Sequence, residues 1–416
     1  MAKLAAQWLR EIMRTLYQSR TVTRAEIIEE TRLNPASVSH GLKALLQSGT
    51  ILKVGELESN GGRRREVLSL NAEAAYFLAL DLEGTRIQFG LTNLVGDVRY
   101  RWGRDLELGQ TLDLQTLIDG VRAVTQNLDP AQRARVLAVG VSHPGFASRD
   151  GRITAFNLNW SDYPLRQELE KQFDLPVFLE DAHRTCILAE RWVGAAKGSN
   201  NCMYVIVGIG IGVGVFADGQ VLEGRDGIAG ELGHITMDPD APDLCVCGQR
   251  GCLEALASCP NIVRQYLEGT GSVTGRLSGY RVSEVFERAR QGDAVAVGVI
   301  DRVARYLGLA LSYLANLFNP ELIVIGGEIV HGEDLLMPRL RAELERHTLA
   351  RTLAGMELKV SSLGLDIGLK GAAALAFRNA LMQPALLKKI CAPMPVSRSR
   401  PKASRPRTAA RDKVTV

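Results

Sequence analysis

The sequence predicts an α/β protein in three parts: an N-terminal winged helix-turn-helix, a duplicated hairpin-led α/β body with a cleft between its halves, and a basic tail. Three observations predict it. Residues 1–71 read as short helices followed by a hairpin. The stretches "YFLALDLEGTRIQFGLTNLVGDV" from Tyr76 and "CMYVIVGIGIGVGVFADGQV" from Cys202 follow one plan of apolar strand, small-residue break and returning strand. The charge is also segregated. Basic residues exceed acidic ones by 4 in residues 1–71 and by 6 in residues 390–416, which leaves −6 on the stretch between, within a total of +4. Basic ends on an acidic body point to an anionic partner met by the ends.

A chain of 416 residues is long for one domain. Its 46% hydrophobic and 23% charged residues are those of a soluble globular protein. No run approaches the ~20 apolar residues of a membrane span, and the charged N-terminus does not read as a signal peptide. A cytoplasmic protein with no membrane attachment is expected, with its cysteines as free thiols or metal ligands rather than disulfides.

In the first part, "AAQWLREIMRTLYQS" spaces Trp8, Leu9, Ile12, Met13 and Leu16 at helical intervals. Thr23 with Glu26 three residues on is a capping-box pattern. A tight turn at Leu33-Asn34 then leads to a helix opened by Pro35 and stopped by Gly49. Two short helices joined by a tight turn, followed by a hairpin with Arg63, Arg64 and Arg65 at its tip, form the layout of a DNA reader. With Val38, Leu42 and Leu45 facing inward, Ser37, Ser39, His40 and Lys43 are expected on the exposed side of the second helix, within reach of bases or phosphates. The three arginines suit the minor groove or its flanking phosphates.

The body is expected over residues 72–385, with helices near 114–127, 164–173, 184–195, 295–316 and 334–349. Residues 386–416 are rich in Pro, Ser and Arg and poor in large apolar groups, the composition of a disordered basic tail.

"LCVCGQRGCLE" from Leu244 places three cysteines within eight residues, downstream of His234. One imidazole and three thiolates make a tetrahedral zinc set from His234, Cys245, Cys247 and Cys252, with no position left for water, so the ion is expected to be structural. Gly248 and Gly251 let the backbone fold tightly around it. Glu231 and Glu254 flank the set, and carboxylates that converge beside it can bind the vicinal hydroxyls of a sugar.

"AGELGHITMD…CVCGQRGCLEALAS" resembles the signature of the ROK family of repressors and sugar kinases, and the resemblance extends over about residues 1–385. It implies an actin-like, ribonuclease-H-like sugar-kinase body, structural zinc on the four residues above, and sugar contacts from Glu231, His234 and Glu254. Three departures bear on phosphotransfer. The first phosphate loop reads "DLEGT", Asp81 to Thr85, with Glu83 where the family has glycine; a carboxylate there crowds and repels phosphate. The second reads "GIGIGVG", with Ile209 for threonine and Val213 for glycine. In "EDAHRTCILAE", Glu180 to Glu190, Ala182 falls at the position of the catalytic base and Asp181 at that of a sugar-contacting asparagine; Asp181 is the one substitute base within a residue's shift. A methyl group accepts no proton, and losing general-base catalysis costs ~10²–10⁴-fold. The expected protein is therefore a sugar-responsive regulator, most simply a repressor, acting as a homodimer or homotetramer on double-stranded operator DNA and sensing a sugar or sugar phosphate. An active kinase with an accessory DNA-binding part is the alternative.

Overall fold

The computed structural model describes residues 2–57, 64–82, 86–106, 110–271 and 281–393. Arg63, Glu83 and Thr85, and the expected tail from residue 394 onward, lie outside the described residues.

The N-terminal part comprises α1 (Ala2–Ser19), β1 (Thr21–Thr23), α2 (Arg24–Thr31), α3 (Pro35–Ser48), β2 (Ile51–Leu57) and β3 (Arg65–Leu70). The expected capping box closes α2: Thr23 caps the Glu26 amide and the Glu26 carboxylate returns to the Thr23 N–H. Asn34 caps α3 through the Ser37 N–H at 2.8 Å, and Gly49 ends it at φ +75°. The three strands pair antiparallel in the order β1-β3-β2.

The body holds two five-stranded sheets. The first uses β4 (Tyr76–Asp81), β5 (Arg86–Asn93), β6 (Val98–Asp105), β7 (Val136–His143) and β8 (Val177–Asp181), in the order β8-β7-β4-β5-β6. The second uses β9 (Cys202–Val207), β10 (Ile211–Ala217), β11 (Gln220–Val221), β12 (Leu322–Gly326) and β13 (Glu357–Val360), in the order β11-β10-β9-β12-β13. In each, the hairpin is antiparallel and two parallel strands extend the sheet from its first strand. The expected helices form as α4 (Leu114–Thr125), α5 (Leu165–Phe173), α6 (Ala182–Val193), α8 (Ala294–Phe318) and α9 (Glu333–His347), with a short α7 (Leu253–Ala257) after the cysteines. α10 (Ile367–Met382) is the helix that α6 packs against most extensively.

The tail begins later than its composition indicates. Residues 384–390 form α11 (Pro384–Ile390), which buries Leu386, Leu387 and Ile390, because the apolar "ALLKKI" precedes the Pro- and Arg-rich stretch. These side chains join one core with Ile12, Met13 and Leu16 of α1 and with Phe77, Phe377 and Leu381 of the body. Thr50 donates a hydrogen bond to the Ile390 carbonyl at 3.1 Å. Tyr17 of α1 stacks between Trp192 of α6 (centroids 4.4 Å) and Phe377 of α10 (4.1 Å). No described helix is long and apolar enough to cross a membrane.

Candidate metal centre and ligand cleft

The chain leaves β10 and β11 and returns through Glu231 to the 3-10 turn Leu232–His234. Gly233 passes so close to β10 that a Cβ there would lie 2.5 Å from the Ile211 carbonyl oxygen. The cysteine loop then folds on itself. The Cys245 N–H donates to the Gln249 carbonyl (2.8 Å), the Gly248 N–H to the Cys245 carbonyl (2.9 Å) and the Gly251 N–H to the Asp243 carbonyl (3.0 Å). Gly251 has φ +65°, and a Cβ there would lie 1.6 Å from the Asp238 carbonyl oxygen, so the turn admits only glycine.

This folding brings the ligand atoms of His234, Cys245, Cys247 and Cys252 within 4.8 Å of one another. The Cys247 and Cys252 sulfurs are 3.7 Å apart, and the Cys245 sulfur is 3.5 Å from His234 Nδ1. Tetrahedral bonds of about 2.3 Å to sulfur and 2.0–2.1 Å to nitrogen require edges of about 3.8 Å (S···S) and 3.5 Å (S···N). The residues therefore fit a four-coordinate metal ion. With Nδ1 turned to the sulfurs, His234 Nε2 faces a Glu231 carboxylate oxygen at 3.8 Å, beyond direct hydrogen-bond reach.

Glu254 follows Cys252 by two residues on α7. One of its oxygens accepts the Ile211 N–H at 3.1 Å and the other lies 4.0 Å from the Cys245 sulfur. Burial pushes the Glu231 carboxyl up; His234 and Arg184 pull it back, and Glu254 repels it. The metal-site fold thus sets both acids beside the ligand set, near enough for each to feel the other's charge.

At the end of β8, Asp181 caps α6. Its Oδ1 accepts the Arg184 N–H at 3.1 Å and lies 3.0 Å from His183 Nε2; its Oδ2 meets the Arg184 guanidinium. Burial raises the Asp181 carboxyl, and Arg184 is the first group to oppose that. Arg184, only 4% exposed, also binds Glu180 (2.7 Å) and the carbonyls of Ala229 (2.9 Å) and Gly227 (2.6 Å). It therefore ties the segment leading to Glu231 onto α6. Both Asp181 oxygens are engaged, and Ala182 presents only a methyl beside them. Sequence reasoning missed Arg184 and His183. A His-Arg pair one residue beyond the paired acids Glu180 and Asp181 was the available signal.

Two sequence assignments need correction. Val213 does not line a phosphate loop. It lies inside β10 opposite Val205, packs in the core, and its N–H goes to the Gly230 carbonyl at 2.8 Å; the glycine run hides the point where the strand begins. Ile209 does sit between the strands, part-buried beside Gly208 and Gly210. Ser37 is buried, on the α3 stripe with Val38, Gly41 and Leu45, because its place in the first turn sets it four residues before Gly41. Ser39 is part-buried and gives its hydroxyl to the Pro35 carbonyl at 2.6 Å, while His40, Lys43, Arg64 and Arg65 are exposed. Asp81 ends β4 against Gly368, where a Cβ would come within 2.0 Å of its carboxylate.

A profile of the ROK family matches residues 77–379. The chain belongs to the ROK family. It is 27% identical over 384 residues to the xylose repressor of Caldicellulosiruptor bescii, covering 90% of this chain and 96% of that one. It is 34% identical over 310 residues to the glucokinase of Thermotoga maritima, covering 72% and 96%. Among solved structures, a ROK family transcriptional regulator, homolog of E. coli MLC protein, superposes with TM-score 0.76 at 27% identity over 94% of this chain and 100% of that one. The ROK body here is thus related to repressors and kinases alike.

Proposed function

We propose that this ROK protein is a sugar-responsive, DNA-binding transcriptional regulator, most simply a repressor, whose body binds a sugar without phosphorylating it. One observation carries the reading. The regulator structure and the xylose repressor align over nearly the whole chain, N-terminal part included, whereas the glucokinase aligns over about the length of the body. We read residues 1–71 as a winged helix-turn-helix that presents His40, Lys43, Arg64 and Arg65 to DNA, and the two like-planned sheets as duplicated halves of an actin-like body over residues 72–390. A dimer would place two such heads on a palindromic operator. The four-ligand cluster is read as a structural zinc site of a cytoplasmic protein, where thiolates stay reduced. Glu231, His234 and Glu254 are the sugar-contacting set.

Loss of phosphotransfer is supported by the methyl of Ala182 at the base position and by the engagement of both Asp181 oxygens with Arg184 and His183. The kinase alternative is favoured by the 34% identity to a glucokinase. Isothermal titration with magnesium-ATP and with a hexose and pentose panel separates the two. Sugar binding without ATP binding is expected, and Ala182→Asp is expected to restore no turnover. Tight magnesium-dependent ATP binding, or strong turnover in Ala182→Asp, would establish the kinase instead. Glu254→Ala is expected to weaken the sugar roughly tenfold or more, since a hydrogen bond to a charged group contributes about 1.5–3 kcal/mol.

A further inference from the structure

A buried arginine fixes the point from which the end of the chain leaves the body. Arg135, directly before β7, is only 8% exposed. Its Nη1 donates to the Ala74 carbonyl at 2.8 Å, and its Nη2 donates to the carbonyls of Ala392 (3.2 Å) and Pro393 (2.8 Å). Withdrawing a guanidinium from water is costly unless its N–H groups find acceptors, and two of the acceptors here are the last two described carbonyls. Three residues before Pro393, the Ile390 carbonyl accepts the Thr50 hydroxyl, which is fully buried and lies 2.7 Å from the Ser48 hydroxyl. Thr50 stands between the end of α3 and the start of β2. The exit of the chain is therefore held by the body on one side and by the foot of the N-terminal hairpin on the other.

The sequence beyond that exit is strongly basic. Residues 394–416 carry seven Lys and Arg against one acid, Asp412. They include no aromatic residue and no Leu or Ile, so they lack the apolar groups that seat a basic segment in a membrane surface. The acidic middle of the chain is a poor competitor for them. Its net −6 is spread over more than 300 residues, whereas duplex DNA carries one negative charge per about 1.7 Å. Reach is sufficient. Arg398 lies five residues past Pro393, at most about 17 Å of chain, and Lys413 lies twenty past it, at most about 70 Å. The seven residues of β2 run about 23 Å from the hairpin foot toward its tip.

We propose that residues 394–416 are a second DNA contact, an arm mounted at the hairpin foot that neutralises phosphates beside the stretch met by residues 1–71. The proposal rests on the reading of this chain as a DNA-binding regulator. Phosphate contacts position a protein but carry no sequence information. The arm therefore adds affinity and salt dependence, while the N-terminal part keeps the choice of sequence.

The test compares the full chain with a chain ending at Pro393, which keeps α11 and both Arg135 contacts, and with a full-length variant in which all seven tail Lys and Arg become Gln. Each is titrated by fluorescence anisotropy, at several salt concentrations, against a mixed-sequence duplex and against duplexes that the full chain selects from a random pool. Both variants are expected to bind at least tenfold more weakly at about 0.1 M salt. Their log-log salt slope is expected to be shallower by three or more, at about 0.9 per phosphate neutralised. The ranking of the selected duplexes and the midpoint of unfolding are expected to stay as in the full chain. Undiminished affinity and slope in both variants would overturn the arm. So would a loss confined to vesicles of anionic phospholipid, titrated in parallel, which would make the tail a membrane contact. Duplex binding that falls in Arg64→Ala but in neither tail variant would remove the arm and leave the regulator reading standing. Absence of duplex binding by the full chain would remove both.

Discussion

Cys247 is the exposed member of the four-ligand cluster, while Cys245 and Cys252 are buried. Burial pushes the Cys245 thiol up to about 12 and raises that of Cys252, so these sulfurs need a cation beside them to stay ionised. Cys247→Ser is expected to cut zinc content well below one ion per chain and to lower the unfolding midpoint by several degrees, read by metal analysis and calorimetry on the same sample. Full occupancy in the variant would remove Cys247 from the ligand set. Two histidines give a second prediction. Burial pulls His143 down to about 4 and His183 to about 3, and the Arg184 charge lowers both further. His143 Nε2 is buried without a partner, as suits a neutral ring whose Nδ1 faces the Pro144 carbonyl. A depressed histidine leaves the unfolded chain binding more protons below about pH 6.5, so stability is complete above that value and is lost as pH falls toward 4 and 3. Each is expected to cost about 2 kcal/mol between pH 7.5 and 5. Denaturant titrations of zinc-loaded protein should show a steep fall in the wild type and a shallower one in His143→Gln; parallel slopes would refute the assignment. The metal set was legible in the sequence because its spacing is local. Arg184 was not, because its meaning lies in carbonyls 43 and 45 residues away, which only the fold brings to it.

At the scale of elements, helices with a clear period and a side-chain cap were read correctly, and the errors fall where a local cue misleads. Glycines masked the first residues of β10, and basic neighbours masked α11. The docking of α1 was not legible at all, since Tyr17 reads as one more apolar position of an amphipathic helix. Its ring is held by Trp192 and Phe377, yet its hydroxyl is buried with no hydrogen-bond partner. Tyr17→Phe is therefore expected to be neutral or to stabilise by up to about 1 kcal/mol, whereas Tyr17→Ala is expected to cost about 3–5 kcal/mol as the stack empties. Calorimetric midpoints decide it, and a destabilised Tyr17→Phe would mean that the hydroxyl has a partner after all.

For the whole molecule, the segregation of charge predicts where a polyanion binds. Duplex affinity is expected to fall steeply with salt, and Arg64→Ala is expected to weaken binding on all sequences and to reduce the salt slope by about one. His40→Ala is expected to shift the ranking among operators. Fluorescence anisotropy at several salt concentrations checks both, and an unchanged slope in Arg64→Ala would exclude that arginine from phosphate contact. The two hairpins were legible as like-patterned stretches in the sequence, but the order of the remaining strands and the seam between the small part and the large one were not. The pattern of residues marks a change near 71, while the packing crosses it: Ile12, Met13 and Leu16 share one core with Phe77, Phe377 and Leu387. That seam has a practical meaning for anyone who builds chimeric biosensors. A cut at residue 71 would strip an apolar face from the sensor and leave a grafted reader without its socket. Exchangeable heads would have to bring matching residues for α10 and α11 with them, so the proposed DNA reader would be inherited as a surface plus its mount.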